Sequence, residues 1–360
     1  EGLTQSSVAT QSYLFTRDAI GQSRSTALAK GFPPQWSGII VADYDMDRRI
    51  IGQNGTDLYD GRYANVAKAS LLSIPTLSIV MDLDDLFGSD GIYVNPLDRG
   101  VEAERPTSVE LIDPSGQQAG FQIDAGVRIQ GGVSRLISSK LSLRLLFKDE
   151  YGASKLDYPL FGIDGPTTFD SISLRASSGE HLIGIHYIRD EFARRLQGTT
   201  GNAHSQGTYM HLYINGLYWG LYNPVERIDG QYAANHYGGE KENYDVLNAG
   251  DFGSEGISAV AGSLDAWNRM IDLARQVETA PTQEARTQFY LQLQGLNPDG
   301  SRNPDYPVYL DADNFIDYLI TQVYVRNSDW PIRNYYMLRD RGPDSTGFKF
   351  FIWDGEFTLD

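Results

Sequence analysis

Near its C-terminal end the chain reads Arg326-Asn327-Ser328-Asp329-Trp330-Pro331-Ile332-Arg333-Asn334, and a short hairpin later Phe350-Phe351-Ile352-Trp353 ends in Asp354. A carboxylate, an amide five residues on, and a second carboxylate at the mouth of an apolar run form a set suited to phosphoryl transfer. One group must orient the attacking hydroxyl and accept its proton, and others must hold metal against nucleotide phosphates. Asp329 suits the first task, Asn334 and Asp354 the second, because Mg²⁺ or Mn²⁺ takes hard oxygen ligands through one or two carboxylates plus phosphate. Glu356 and Asp360 share the last segment and could add oxygens. The Asp–Asn spacing is common by itself, and Asp329 could simply cap a turn before Pro331. Phe-Phe-Ile-Trp-Asp weighs the other way, since an acid closing a buried strand is costly without a metal or partner.

Two further stretches carry weaker signals. Gly131-Gly132 follows Gly126-Val127-Arg128-Ile129-Gln130 and precedes Lys140 at the start of another strand pattern. Glycines let backbone N–H groups approach phosphate, and a lysine on a neighbouring strand can reach its oxygens. The plainer account is a turn between strands with a lysine at a sheet edge. In Tyr218-Trp219-Gly220-Leu221-Tyr222-Asn223-Pro224-Val225-Glu226-Arg227-Ile228-Asp229, a strand runs out through proline into a polar segment whose backbone could meet an adenine edge. A strand end followed by a helix capped at Asp229 explains the same residues. Tyr213, Tyr218, Trp219 and Tyr222 fit core and cross-strand packing better than a stacking surface. The five histidines show no metal-ligand spacing, and neither a Gly-x-Ser-x-Gly elbow nor a Walker loop occurs.

The elements that must position these residues change along the chain. Residues 1–15 alternate small polar and apolar groups, which predicts a strand. Residues 16–70 show little periodicity. Within them Asp43–Asp47 is acidic enough for a calcium loop but lacks the EF-hand glycine and glutamate, so a solvated turn is expected. Asn54-Gly55-Thr56 fits a glycosylation pattern. From Leu71 onward, strands are predicted at Ile74–Val80, Ser108–Ile112, Phe121–Ile129, Leu141–Phe147 and Ser171–Arg175. A helix is predicted over Ile185–Gln197, with Ile185, Ile188, Phe192 and Leu196 on its apolar face. Asn215-Gly216 then joins two strands, Tyr209–Ile214 and Tyr218–Tyr222. Residues 238–310 read as an insertion or looser region with a helical stretch near Leu264–Gln276. Helix 313–325 shows Phe315, Ile316, Leu319, Ile320 and Val323, with Asp311 or Asp313 as its cap. The closing hairpin pairs Tyr335–Leu338 with Phe348–Trp353. The expected fold is α+β with two lobes, strand-rich 71–223 and helix-rich 224–360.

Composition narrows the classes. The chain has 360 residues, 41% of them hydrophobic, enough to bury a core. A formal net charge of −17, without a basic stripe, opposes binding to nucleic acid or anionic lipid. The absence of cysteine excludes disulfides, thiolate metal sites and cysteine nucleophiles. No apolar run reaches the roughly 20 residues that span a bilayer. With neither an initiating Met nor a signal peptide, and an end just after a strand signal, the sequence reads as an internal piece of a longer protein.

Taken in order, several blocks resemble the CotH family of atypical kinases. They include Ile74-Pro75-Thr76-Leu77-Ser78, Glu104-Arg105-Pro106-Thr107, Arg128-Ile129-Gln130-Gly131-Gly132, Tyr158-Pro159-Leu160-Phe161, Tyr213-Ile214-Asn215-Gly216, Asn327-Ser328-Asp329-Trp330 and Trp353-Asp354. They run from about residue 71 to the end. The resemblance implies a divergent bilobal kinase fold, truncated at both ends, that uses ATP with Mg²⁺ or Mn²⁺ (calcium being a further option). It would phosphorylate Ser or Thr on secreted, coat or surface proteins, or on itself. By that likeness Asp329 is the catalytic acid and Asp354 and Asn334 the metal ligands, with Glu356 replacing an aspartate of the family's Trp-Asp-x-Asp. Lys140, Gly131, Gly132 and Glu226 would contact nucleotide, and Glu191 or Asp190 would pair with Lys140. It further implies an exported bacterial protein at the cell surface, with flanking domains. Residues 1–15 would then be the last strand of a preceding chitobiase-like sandwich or a linker, and 16–70 an N-terminal extension. A catalytically weak adhesion or scaffold module is the alternative.

Overall fold

The computed structural model describes residues 10–36, 40–47, 59, 63–138, 140–176, 186–251 and 254–359. Helices and strands both contribute, so the α+β class holds. The described residues of Glu1–Ser178 and Gly207–Val225 form one compact unit, and those of Gly179–Gln206 and Glu226–Asp360 the other. The chain changes unit three times, after Ser178, Gln206 and Val225. The first excursion, at 179–206, was not legible in the sequence.

The first unit is built on seven strands, β1 (Thr76–Val80), β2 (Arg105–Ile112), β3 (Phe121–Gln130), β4 (Ser142–Leu146), β5 (Ser171–Arg175), β6 (Met210–Ile214) and β7 (Leu217–Glu226). They close into a barrel in the order β6-β7-β5-β4-β3-β2-β1, a closure that the reading of a strand-rich lobe did not anticipate. The parallel pairing of β6 with β1, from His211 opposite Thr76 to Ile214 opposite Ile79, completes the ring. Alternation dictates what fills it. Leu77 and Ile79, Val109 and Leu111, Leu143 and Leu145, Ile172 and Leu174, and Leu212 and Ile214 are all buried in one cluster. Each such side chain contributes roughly 1.5–3 kcal/mol of burial. At the β6–β7 turn, Asn215 (φ 49°) and Gly216 (φ 74°) take the left-handed conformations of a tight hairpin, as their sequence predicts. β7 does not stop at Tyr222 but continues through Pro224 to Glu226. Tyr213, Trp219 and Tyr222 are buried, as expected of core aromatics.

The 16–70 extension supplies core to this unit. Its Phe32, Trp36 and Tyr44 pack with Tyr93 and Trp219, and the Trp36 and Trp219 ring centroids lie 5.4 Å apart. Thr10–Phe15 runs as irregular chain, and the backbone N–H of Ser12 donates to Glu110 at 2.7 Å. Asp45 and Asp43 accept backbone N–H groups from Arg24 and from Asp45 respectively, as in turns. Residues 1–9, Asn54-Gly55-Thr56 and Asp360 lie outside the described residues.

The second unit holds a four-stranded antiparallel sheet in the order β9-β8-β10-β11, with β8 at Tyr244–Asp251, β9 at Ser254–Ala261, β10 at Tyr335–Asp340 and β11 at Lys349–Ile352. The 238–310 stretch, expected as an insertion or looser region, therefore provides an interior strand. Among the described residues five α-helices accompany the sheet: α1 (Arg189–Gly198), α2 (Gly230–Tyr237), α3 (Asp265–Thr279), α4 (Gln283–Leu293) and α5 (Ala312–Tyr324). Leu247, Met337, Phe350 and Ile352 pack against Tyr318 in one core. Asp311 caps α5 by accepting the Asn314 N–H at 3.0 Å, and Asp229 caps α2 through the Tyr232 N–H.

Two helices bury a polar stripe that their apolar residues do not predict, although Leu196, Phe315 and Leu319 of the predicted faces do pack against the core. In α1, Asp190, Glu191, Arg194 and Gln197 are buried, whereas Phe192 and the preceding Ile188 are exposed. In α5, Asn314, Thr321 and Gln322 are buried, while Ile316, Ile320 and Val323 are exposed. The reason is hydrogen bonding to backbone that would otherwise be unsatisfied. The Gln197 amide donates to the Phe350 carbonyl (2.7 Å) and accepts from the Ile352 N–H (2.9 Å). Asn314 accepts from the Phe350 N–H at 2.7 Å. Among the described residues no helix is long and apolar enough to cross a membrane.

Candidate active site

The C-terminal acids gather at one end of the second unit's sheet. In the β10–β11 ladder Tyr335 faces Ile352, so the chain enters β10 from Asn334 beside the point where β11 exits into Trp353-Asp354. The Asp329 loop is tied to the following turn as well. The Ser328 N–H donates to the Phe357 carbonyl (2.9 Å), and the Leu359 N–H to the Val325 carbonyl (2.7 Å). Asp329, Asn334, Asp354 and Glu356 thus occupy two adjacent segments.

Asp329 is held from three directions. Its own N–H donates to Asn327 Oδ1 at 3.1 Å, Asn334 Nδ2 donates to its Oδ2 at 2.8 Å, and Arg333 Nε lies 4.0 Å from Oδ1. The carboxylate remains 41% exposed, so a hydroxyl could reach it. Asn334 has φ 68°, a left-handed conformation that asparagine tolerates, and its N–H donates to the Ala249 carbonyl on β8. Asp354 is half-buried, also left-handed at φ 53°, and leads a single 3₁₀ turn, Gly355–Phe357. Asp190 fixes that turn, its Oδ1 accepting the Gly355 N–H at 2.8 Å.

Asp190 and Glu191, read from sequence as partners for Lys140, are engaged by arginines of their own helix. Arg194 Nε meets Asp190 Oδ2 at 2.9 Å, and Arg194 Nη2 meets Glu191 Oε2 at 2.6 Å. Arg195 meets the other Glu191 oxygen at 2.5 Å, and Arg194 Nη1 also reaches the Ser205 carbonyl at 2.6 Å. Sequence reasoning missed this lock, although acids three and four residues ahead of an arginine are its signature. Glu226 lies wholly buried, its carboxylate accepting from the Gln206 N–H and facing His236 Nε2 at 2.9 Å. Burial raises its carboxyl above the ordinary range, against the pull of His236.

Lys140, Gly131 and Gly132 belong to the barrel unit, in the connection between β3 and β4. Lys140 Nζ donates to the Leu221 carbonyl at 2.7 Å and sits 4.5 Å from the Tyr222 ring centroid. Burial holds its ammonium below the lysine range, at about 8. Gly220 makes room for it, because a Cβ there (φ 123°) would fall 2.5 Å from Nζ. Gly131 has φ 117°, and its carbonyl accepts from Arg135 Nε. Arg135 also reaches the carbonyls of Pro96, Asp98 and Ile129, which stiffens the glycine turn.

Among the described residues no three acids or histidines cluster closely enough to cage an ion. The donor set at Asp354, Asn334 and Glu356 is nevertheless all hard oxygen, which fits Mg²⁺ or Mn²⁺ completing its shell from phosphate and water.

The second unit thus presents a part-exposed carboxylate at a sheet end, with further oxygen donors on the adjacent segment. The chain belongs to the CotH kinase family: the family model described as CotH kinase protein matches residues 127–360, about two thirds of the sequence. The matched stretch begins within β3, so the likeness read at Ile74–Ser78 and Glu104–Thr107 lies ahead of it. No curated protein matches the sequence.

Proposed function

We propose that this protein transfers the γ-phosphoryl group of ATP, with Mg²⁺ or Mn²⁺, to Ser or Thr side chains of secreted, coat or surface proteins. Asp329 orients the acceptor hydroxyl and takes its proton. Asn334 holds that carboxylate in place through its amide N–H, leaving its carbonyl oxygen available to metal. Asp354, fixed by the Asp190–Gly355 contact, is the principal metal ligand, and Glu356 is a further donor. When bound, the metal neutralises charge developing on the phosphates. Lys140 and the Gly131-Gly132 turn are the proposed phosphate contacts of the barrel unit, which on this reading serves as the strand-rich lobe of a kinase. Glu226 is too buried to touch nucleotide through its carboxylate, so its part is to shape the segment that carries Arg227. Self-phosphorylation and an exported, surface location belong to the same proposal.

The observation that carries this reading is the hydrogen bond from Asn334 to Asp329 at the sheet end where Asp354 emerges. Incubation with γ-labelled ATP and Mn²⁺ should label the protein or a Ser/Thr-rich acceptor. Asp329→Asn should cut the rate by about 100-fold or more. Equal labelling by that variant would remove Asp329 from the chemistry.

A further inference from the structure

We infer that Arg227 is the residue that grips the nucleotide's polyphosphate in the second unit, an assignment that rests on the phosphoryl-transfer reading. Arg227 directly follows β7 and is half-buried. Its Nη1 donates to Tyr336 Oη at 3.3 Å, and its guanidinium carbon lies 6.0 Å from that ring's centroid. Its Nε is buried without a hydrogen-bond partner, and among the described residues no acid pairs with it. The contrast with Arg194, saturated by Asp190, Glu191 and Ser205, is direct.

The location gives the guanidinium a purpose. Tyr336 pairs across β10–β11 with Phe351, and its ring packs 5.2 Å from that of Trp353, the residue before Asp354. Arg227, Tyr336 and Trp353 therefore line one face of the sheet towards the end where the proposed metal ligand emerges. A guanidinium presents a planar fork of donors that matches phosphate oxygens two at a time. The Tyr336 contact leaves most of that fork unspent and holds it oriented. A nucleoside polyphosphate is the class of anion that brings both metal and phosphate oxygens to Asp354, and the Nη donors that Tyr336 leaves unspent are the ones it would meet. A cation stacked on tyrosine for packing alone is the competing explanation, and the two differ in what they predict for binding.

The test uses the whole chain with Mn²⁺, inorganic tripolyphosphate and adenosine as probes, and calorimetric titration as the readout. Arg227→Gln should weaken tripolyphosphate at least about tenfold, as expected for a lost charge-assisted pair, and leave adenosine affinity unchanged. Arg227→Lys keeps the charge and stem but loses the fork. It should weaken tripolyphosphate several-fold and serves if the glutamine variant does not fold. Unchanged tripolyphosphate affinity in both variants, with the parent still binding ATP in a metal-dependent way, would overturn the assignment and spare the kinase reading. A parent chain that binds neither ATP nor tripolyphosphate would overturn both.

Discussion

The two units handle a buried cation in opposite ways. In the barrel, Lys140 meets a carbonyl and an aromatic ring, and burial drags its ammonium down to about 8. In the second unit, Arg194 is fully buried yet locked between Asp190 and Glu191. The first arrangement holds a cation by a carbonyl and a ring, and burial weakens its hold on its proton. The second spends all its charge inside the protein, and its product is a fixed turn at Asp354. One unit lowers its lysine's affinity for a proton by burial, and the other uses a paired network as scaffolding.

Arg194→Met should separate these roles most sharply. Removing the guanidinium takes from the buried Asp190 and Glu191 the cation they share, Arg195 still holding one Glu191 oxygen, which should destabilise the protein by about 3–5 kcal/mol. Denaturant unfolding would measure this, and a loss below about 1 kcal/mol would mean the pair behaves like a surface bridge. Hydrogen exchange at Gly355 should quicken in the same variant, since Asp190 loses the group that orients it.

A smaller effect distinguishes the units by pH. Lys140 titrates near 8 folded but near 10.4 unfolded, so between those values the unfolded chain holds a proton that the folded chain has released. Stability from this group therefore rises with pH across that window. In the second unit His204 is lowered to about 4, chiefly by burial and then by the Arg194 charge. There the unfolded chain binds the extra proton below about 6.5, and stability is lost as pH falls towards 4. Peptide-level hydrogen exchange should show barrel protection growing by up to about 1 kcal/mol from pH 8 to 9, and Lys140→Met should flatten that rise. An unchanged slope in the variant would show that another group carries it.

The barrel strands were legible in sequence because side-chain alternation is a local property that survives folding. Leu143 and Leu145, or Ile172 and Leu174, announce an inward face whatever they pair with. The closure was not legible, because it depends on a parallel pairing between strands more than 130 residues apart. In the second unit α1, α3 and α5 were legible, α4 was not, and neither were the inward faces of α1 and α5. Hydrophobicity put Ile316, Ile320 and Val323 inside α5, but the buried side is decided by Asn314 and its bond to Phe350, a contact that no periodicity reports. For the site, types and order pointed to Asp329, Asn334 and Asp354. Asp190's hold on Gly355 and the unpaired Nε of Arg227 needed coordinates, since both depend on which atoms a fold leaves facing one another.

The most direct test is to titrate ATP into the protein with and without Mn²⁺, comparing the parent chain with Asp354→Asn. The parent should bind ATP at least about tenfold more tightly with the metal than without it, and the substitution should erase that difference while the fold persists by circular dichroism. Metal-independent binding in the parent, or an undiminished metal effect in the variant, would contradict a nucleotide–metal site at Asp354.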